Sequence, residues 1–434
     1  MKKEEFNEGL LAFLNASPTP FHAVANMVEV LEKAGFKRLH EEYEWSLQAN
    51  ERYFITRNGS SLIAFSGAQG PLEVSGARMF GAHTDSPCLK IKPSPELLRK
   101  GYYQLGVEVY GGVLLNPWFD RELSLAGRVT YLSSAGEVKS TLINWERPIA
   151  MIPSLAIHLD REVNNSRSIN PQKDLPAVLM QCRADSPPEF RGLLLEQIKQ
   201  EHPALDAERV LDYELCLYDT QPANIHGLQN EFLSSARLDN LLSCYIGLQA
   251  LLDAGSSQPC FLVFNDHEEV GSVSAEGAQG PFLRSVLLRI TEDETRLSQM
   301  ISRSMMFSAD NAHGVHPNYA DRHDENHGPL LNSGPVIKVN SNQRYATNSI
   351  TSSFYRRLSE ELKLPYQVFV VRTDMACGST IGPLTAAELG VKTLDIGVPQ
   401  FAMHSIRETC GSADPLTLYE VSKLFFNTAT LPQA

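Results

Sequence analysis

With 434 residues, the chain is too long for one simple hydrophobic core, so two domains or one domain with a large insertion are expected. Hydrophobic residues at 43% and charged residues at 21% are ordinary for a globular protein in water. A formal net charge of -13, with no long Lys/Arg run to offset it, speaks against nucleic acid and anionic membranes as partners.

The chain opens on MKKEEFNEGLLAFLNASPTP. Its apolar residues Phe6, Leu10, Phe13 and Leu14 are helically spaced and interrupted by acids, unlike a signal peptide. No segment approaches the roughly 18 apolar residues of a membrane span. Seven cysteines, without CxxC spacing, fit a reducing cytoplasmic compartment.

Helices are expected over Phe6–Leu14 and Phe21–Ala34, the second with Thr19 as N-cap and Pro20 in its first turn. SSLIAFSG and RMFGAHTDSP read as strands. From Ile91 to Gly227 the pattern changes. YYQLGVEVYGG, LAGRVTYLS and KSTLINW alternate like antiparallel strands, PPEFRGLLLEQIKQEH reads as a helix and VLDYELCLYD as a strand. From Glu231 onward helix and strand patterns alternate again: LDNLLSCYIGLQALLDAG and LTLYEVSKLFFNTA as helices, with CFLVFND, RSMMFSAD, GPVIKVN, YQVFVVR and VKTLDIGV as strands between them. This predicts an α/β fold, a sheet flanked by helices, interrupted by a smaller β-rich domain. The expected boundaries are residues 1–92 and 229–434 for the discontinuous catalytic domain and 93–228 for the insertion.

Several of these strands end in ionisable residues. MFGAHTD carries His83 and Asp85, FLVFND runs on into His267, Glu268 and Glu269, and MMFSAD ends in Asp310. LDIGVPQFAM is followed by His404, and a helix begins at Asp239. Ligands of open α/β sheets bind beyond the carboxyl ends of strands, so these groups can converge there. In H-x-D both side chains face the same way, so His83 can bind a metal while Asp85 holds its other ring nitrogen. Adjacent glutamates serve one site only if the chain has left the strand, which Gly271 permits. One then binds metal and the other takes a proton from water.

Each residue also has a plainer explanation. His83 and Asp85 could be a surface pair, the glutamates a solvated loop, Asp239 a helix cap, Asp310 a turn residue and His404 a core histidine. Together, two imidazoles and three carboxylates suit zinc, with one glutamate left as base. The helical H-E-x-x-H signature is excluded, because residue 271, four after His267, is glycine.

GAHTDSP, ARLDN, DHEEVGS, SADNAHGVHPNYADRH, NQRYATN, CGSTIGP and FAMHSIRE, in this order between Ser17 and Glu408, resemble the M18 metallo-aminopeptidases, specifically the aspartyl aminopeptidase group and its bacterial members. The resemblance implies a co-catalytic zinc exopeptidase fold whose β-rich insertion makes subunit contacts. It implies two divalent metal ions, Zn2+ with Co2+ or Mn2+ as alternatives, held by His83, Asp239, Glu269, Asp310 and His404. Asp239 would bridge, His83 and Asp310 would complete one site, and Glu269 and His404 the other. Glu268 would be the general base for a metal-held water attacking the scissile carbonyl, and Asp85 would orient His83. Lys338, Tyr345 and His313 would form a pocket for an acidic N-terminal residue. His158 would reach a neighbouring subunit's active site in a dimer-based homo-oligomer, with a dodecamer as the larger assembly.

Lys338 has a competing explanation as an edge-strand lysine that discourages aggregation. A nucleophilic cysteine needs a base and a positive local field; no local cysteine-hydrolase signature surrounds Cys377, which reads as a packed thiol beside a Gly-rich turn into a helix. The expected function is release of N-terminal Asp or Glu from peptides. The same chemistry on neutral residues or another amide, as in a deacylase, is the alternative, and a scaffold with a vestigial site is the third.

Overall fold

The computed structural model describes residues 1–48, 51–66, 72–182, 187–255 and 257–433. The last residue of SSLIAFSG, Gly67, lies outside them. The chain divides into two compact units. The first comprises Met1–Asp85, Ala223–Met403 and Glu408–Ala434, and the second Ser86–Pro222 with His404–Arg407.

The first unit is built on a nine-stranded sheet in the order Lys37–Arg38, Tyr53–Arg57, Ser61–Ser66, Cys260–Asn265, Arg78–His83, Met305–Ala309, Lys392–Gly397, Val336–Val339 and Gln367–Val370. The four middle strands, Cys260–Asn265 through Lys392–Gly397, are parallel, so their carboxyl ends share one edge. Strand Cys260–Asn265 is wholly buried and alternates its faces. Cys260, Leu262 and Phe264 join one apolar core with helix Leu238–Leu252, whereas Phe261 and Val263 join another with helices Phe282–Thr291 and Glu294–Arg303. A sheet covered on both faces needs such continuous apolar strands, which is why the polar residues collect at the strand ends.

The expected first two helices form as Lys3–Ala16 and Pro20–Lys33, and the Thr19 hydroxyl accepts the His22 N–H at the second helix start. A smaller five-stranded sheet joins Asn224–His226, Phe232–Ser235, Glu408–Gly411, Pro399–Phe401 and Ala312–His313. Among the described residues no helix is long and apolar enough to cross a membrane.

The second unit holds a six-stranded antiparallel sheet in the order Val138–Asn144, Leu123–Ser133, Ala207–Asp219, Cys88–Arg99, Tyr102–Tyr110 and Ala177–Gln181. Helix Phe190–Glu201 places Phe190, Leu194 and Ile198 in the same core as Leu125, Val129 and Leu215.

Helix Leu238–Leu252 carries Asp239 in its first turn and approaches the sheet closely at Gly247. A Cβ there would lie 2.6 Å from the Phe80 ring and 3.1 Å from the Phe264 ring. Gly247→Ala therefore shifts the helix that carries Asp239 and destabilises the protein by about 1–3 kcal/mol, despite the better helix propensity of alanine. Urea unfolding measures this, and an unchanged midpoint would refute the close contact.

Candidate metal centre

His83 is the last residue of a central parallel strand and is buried. Its Nδ1 lies 3.0 Å from the Asp85 backbone carbonyl, which can only accept. That partner places a proton on Nδ1 and points Nε2 inward as the ligand atom. Nε2 lies 3.3 Å from Asp239, 3.6 Å from Asp310 and 3.9 Å from Glu268. The ligand atoms of His83, Asp239 and Asp310 all lie within 4.8 Å of one another, as do those of His83, Glu268 and Glu269.

The glutamates reach this point because the chain turns sharply beyond Asn265. His267 is left-handed (φ 64°), Glu268–Val270 form a short 3-10 turn, and Gly271 is again left-handed (φ 98°). Asp85 holds that turn. Its Oδ1 accepts the backbone N–H of Glu268 and its Oδ2 that of Glu269, both at 3.1 Å. The sequence assigned Asp85 to His83 alone. Its carboxylate lies 3.4 Å from the His83 ring, but its backbone carbonyl makes the shorter contact.

The helix start is tied in similarly. The Asp239 backbone N–H donates to buried Glu408 at 3.0 Å, and the Asn240 side chain donates to the Ala309 carbonyl at 2.8 Å. Asp239 lies inside the first turn rather than at the cap, a position that Arg237 holds.

The electrostatics ask for cations. Burial, partly offset by His83 and reinforced by Asp310, Asp85 and Asp239, pushes the Glu268 carboxyl up to about 8. Burial with the neighbouring Asp239 charge holds Glu269 well above the usual carboxylate range. Burial and Asp85 push Asp266 up to about 6. His83, although burial opposes it, is held well above its ordinary value by Asp239, Asp310 and Asp85. Asp310 alone moves down, because Lys338 and His83 outweigh its burial. A clustered donor set of imidazole and carboxylates, two of which, Glu268 and Glu269, prefer protons to bare charge, fits divalent cations.

Lys338 is buried on a strand flanked by neighbours on both sides, which removes the edge-strand explanation. Its Nζ lies 3.3 Å from Asp310 Oδ2 and 3.0 Å from the Asn311 carbonyl, with the Tyr345 ring centroid at 5.2 Å. His313 lines a neighbouring cavity of about 300 Å³ with Phe369, Arg372 and Phe401, its ring edge-on to Phe369. His404 belongs to the second unit, where its Nδ1 lies 3.1 Å from the Gly112 carbonyl. His158 sits on an exposed turn of the second unit.

The first unit thus brings together His83, Asp85, Asp239, Glu268, Glu269 and Asp310, with Lys338 and Tyr345 beside Asp310. Sequence reasoning missed the second role of Asp85, the Glu408 contact and the buried Asp266. Only Asp266 carried a signal, as an acid directly after an apolar strand.

Residues 13–426 match the family model described as aminopeptidase I zinc metalloprotease (M18). The chain is 59% identical over 430 residues to a "Probable M18 family aminopeptidase 2" of Ectopseudomonas mendocina (strain ymp), covering 99% of this chain and 100% of the relative. Its fold matches Ape4 in the cryo-EM structure of the Ape4 and Nbr1 complex, with TM-score 0.93, 40% identity and coverage of 98% of this chain and 86% of that one. It also matches the S. cerevesiae mApe1 dodecamer structure, with TM-score 0.83, 28% identity and coverage of 98% and 96%. The chain belongs to the M18 family of aminopeptidases, whose family model is that of a zinc metalloprotease, and the buried imidazole ringed by carboxylates is its candidate metal centre.

Proposed function

We propose that the protein is a dinuclear aminopeptidase that releases acidic N-terminal residues from peptides, with Glu268 as general base. The observation that carries the reading is the meeting of His83 Nε2 with Asp239, Asp310 and Glu268 inside 4 Å, beside a buried lysine. His83 and Asp310 would hold one ion, Glu269 and His404 the other, and Asp239 both. Bound divalent zinc supplies Lewis acidity toward a carbonyl oxygen and makes water more acidic. Co2+ and Mn2+ suit the same donors.

Glu268 accepts a proton from the attacking water and returns it to the leaving amine. Asp85 keeps the Glu268 and Glu269 amides, and so both carboxylates, in place. The surrounding carboxylates also suit a substrate's cationic α-amine, which favours cleavage at the chain end. Lys338, with Tyr345 and His313, would receive the acidic side chain.

The second unit, expected from sequence at residues 93–228, would make subunit contacts in a dimer-based homo-oligomer and carry His158 to a neighbouring site. The mApe1 dodecamer supports assembly of this kind. We assign the protein to the cytoplasm, a reading supported by seven cysteines that form no disulfide among the described residues.

Glu268→Gln keeps the shape and removes the base. It lowers kcat on Asp- and Glu-terminated substrates about 10²–10⁴-fold while bound zinc, read by elemental analysis, stays at the wild-type level. Loss of zinc in this variant would make Glu268 a ligand instead.

Lys338→Met lowers kcat/KM for Asp- and Glu-terminated substrates about 10–100-fold and leaves Leu- and Ala-terminated ones near wild type. A wild-type enzyme favouring Leu or Ala would keep the metal centre and remove the Lys338 pocket.

In chelated protein the raised acids bind more protons folded than unfolded, so stability falls as pH rises. The window runs from the ordinary Asp and Glu values of 3.8 and 4.5 through about 6 for Asp266 to about 8 for Glu268. His83, raised above 6.5, adds a loss of the same sign higher up. Melting temperature of the chelated protein should therefore drop between about pH 5 and pH 8, and added zinc should flatten the profile. A level profile without metal would contradict the buried-charge account.

A further inference from the structure

The Tyr345 segment faces Lys338, and one buried carboxylate ties it to the Thr380 segment. Asp395 lies within strand Lys392–Gly397 and is 0% exposed. Its Oδ1 accepts the Thr380 hydroxyl at 2.6 Å, and its Oδ2 accepts the Ala346 N–H at 2.6 Å. Its own backbone N–H donates to Thr347 Oγ1 at 2.9 Å. Ala346 and Thr347 directly follow Tyr345, whose ring faces Lys338. Thr380 opens helix Ile381–Leu389 and caps it by accepting the Gly382 N–H at 3.2 Å. The segments also meet directly, through the Arg344 guanidinium on the Cys377 carbonyl at 3.3 Å and the Ser379 hydroxyl on the Arg344 carbonyl at 3.4 Å.

A carboxylate inside a sheet is expensive to bury, and an apolar side chain would fill the same space at no such cost. Burial indeed raises the Asp395 carboxyl, while the Lys338 charge and the Thr380 and Ala346 donors pull it back. What the carboxylate offers is two acceptor atoms in one rigid plane, each taken by a donor from a different segment.

We propose that Asp395 is the positioning residue of the acid-selecting pocket, fixing the Tyr345 segment to the Thr380 turn so that the Lys338 ammonium meets a substrate carboxylate at contact distance. This rests on the reading of Lys338 as the acid-selecting group.

An amide in place of the carboxylate can accept only one of the two donors and turns its NH2 toward the other. With zinc-loaded enzyme, Asp395→Asn should raise KM for Asp- and Glu-terminated substrates about tenfold or more, with kcat and the KM for Leu-terminated substrate within about twofold of wild type. Thr380→Val should shift the same ratio in the same direction, and Thr380→Ser, which keeps the hydroxyl, should restore it. Lys338→Met runs alongside. If it leaves the acidic preference intact, the Lys338 reading fails and takes this inference with it. If it abolishes the preference while Asp395→Asn slows all substrates alike or moves none, only the role of Asp395 is overturned. Should Asp395→Asn fail to fold, the Thr380 pair decides. Equal Asp-to-Leu ratios in Thr380→Val and Thr380→Ser would overturn the role of Asp395.

Discussion

The constraint on which this structure turns is crowded, buried negative charge. Asp85, Asp239, Glu268, Glu269 and Asp310 gather around one imidazole, and Lys338 reaches only Asp310 among them. Buried carboxylates crowded together either take up protons or find cations. The protein leaves Glu268 and Glu269 inclined toward protons, so the cluster is stable in one of two forms: partly protonated, or filled with divalent metal. An ordinary structural ion-pair network would have been balanced from within. The imbalance is what marks this cluster as a binding centre.

The scaffold delivers the acids by a simple rule. Four parallel strands end on one edge, and their apolar residues alternate between two helix-covered faces, so each chain turns polar only where it leaves the sheet. His83 closes one such strand, and Asp310 follows another. The glutamates need a sharper device. Consecutive residues on a strand face apart, and the left-handed backbone at His267 and Gly271 brings Glu268 and Glu269 to one side. Asp85 then clamps both amides, so a residue chosen for its spacing to His83 also fixes Glu268 and Glu269, the proposed base and ligand.

The α/β class was legible because strands such as CFLVFND and RSMMFSAD are continuous apolar runs ending in acids, and because helix Leu238–Leu252 is apolar almost throughout. The strands most easily overlooked were the short ones. Ala312–His313 and Pro399–Phe401 are two and three residues long and form only through pairing with distant segments. Helices Phe282–Thr291 and Glu294–Arg303 also escaped notice, although the second has Asp293 as a capping residue. Within the centre, chemistry-bearing residues could be named from motifs, but partners could not. Glu408 meets the Asp239 amide across 169 positions of sequence, and Asp395 meets Ala346 across 49. Neither pairing follows a local period, so neither leaves a pattern to read. Lys338 shows the same limit. Its alternation in PVIKVN fitted an edge strand, and only the pairing on both sides decides otherwise.

The proposed acidic preference would have to meet a problem of range. A chain with a net charge of -13 repels acidic peptides at a distance, and long-range steering cannot favour them. At physiological salt, interactions between exposed charges fade over about 8 Å. Selectivity for Asp and Glu therefore has to arise at contact, from a cation that solvent does not screen. Lys338 meets that requirement because it is buried, held by Asp310 and the Asn311 carbonyl, and faced by an aromatic ring rather than water. An exposed lysine could offer the same charge, but salt would erase its advantage, and its flexible stem would cost conformational entropy on each binding event. In that proposal recognition works over a few ångströms, against the sign of the charge that the rest of the protein presents.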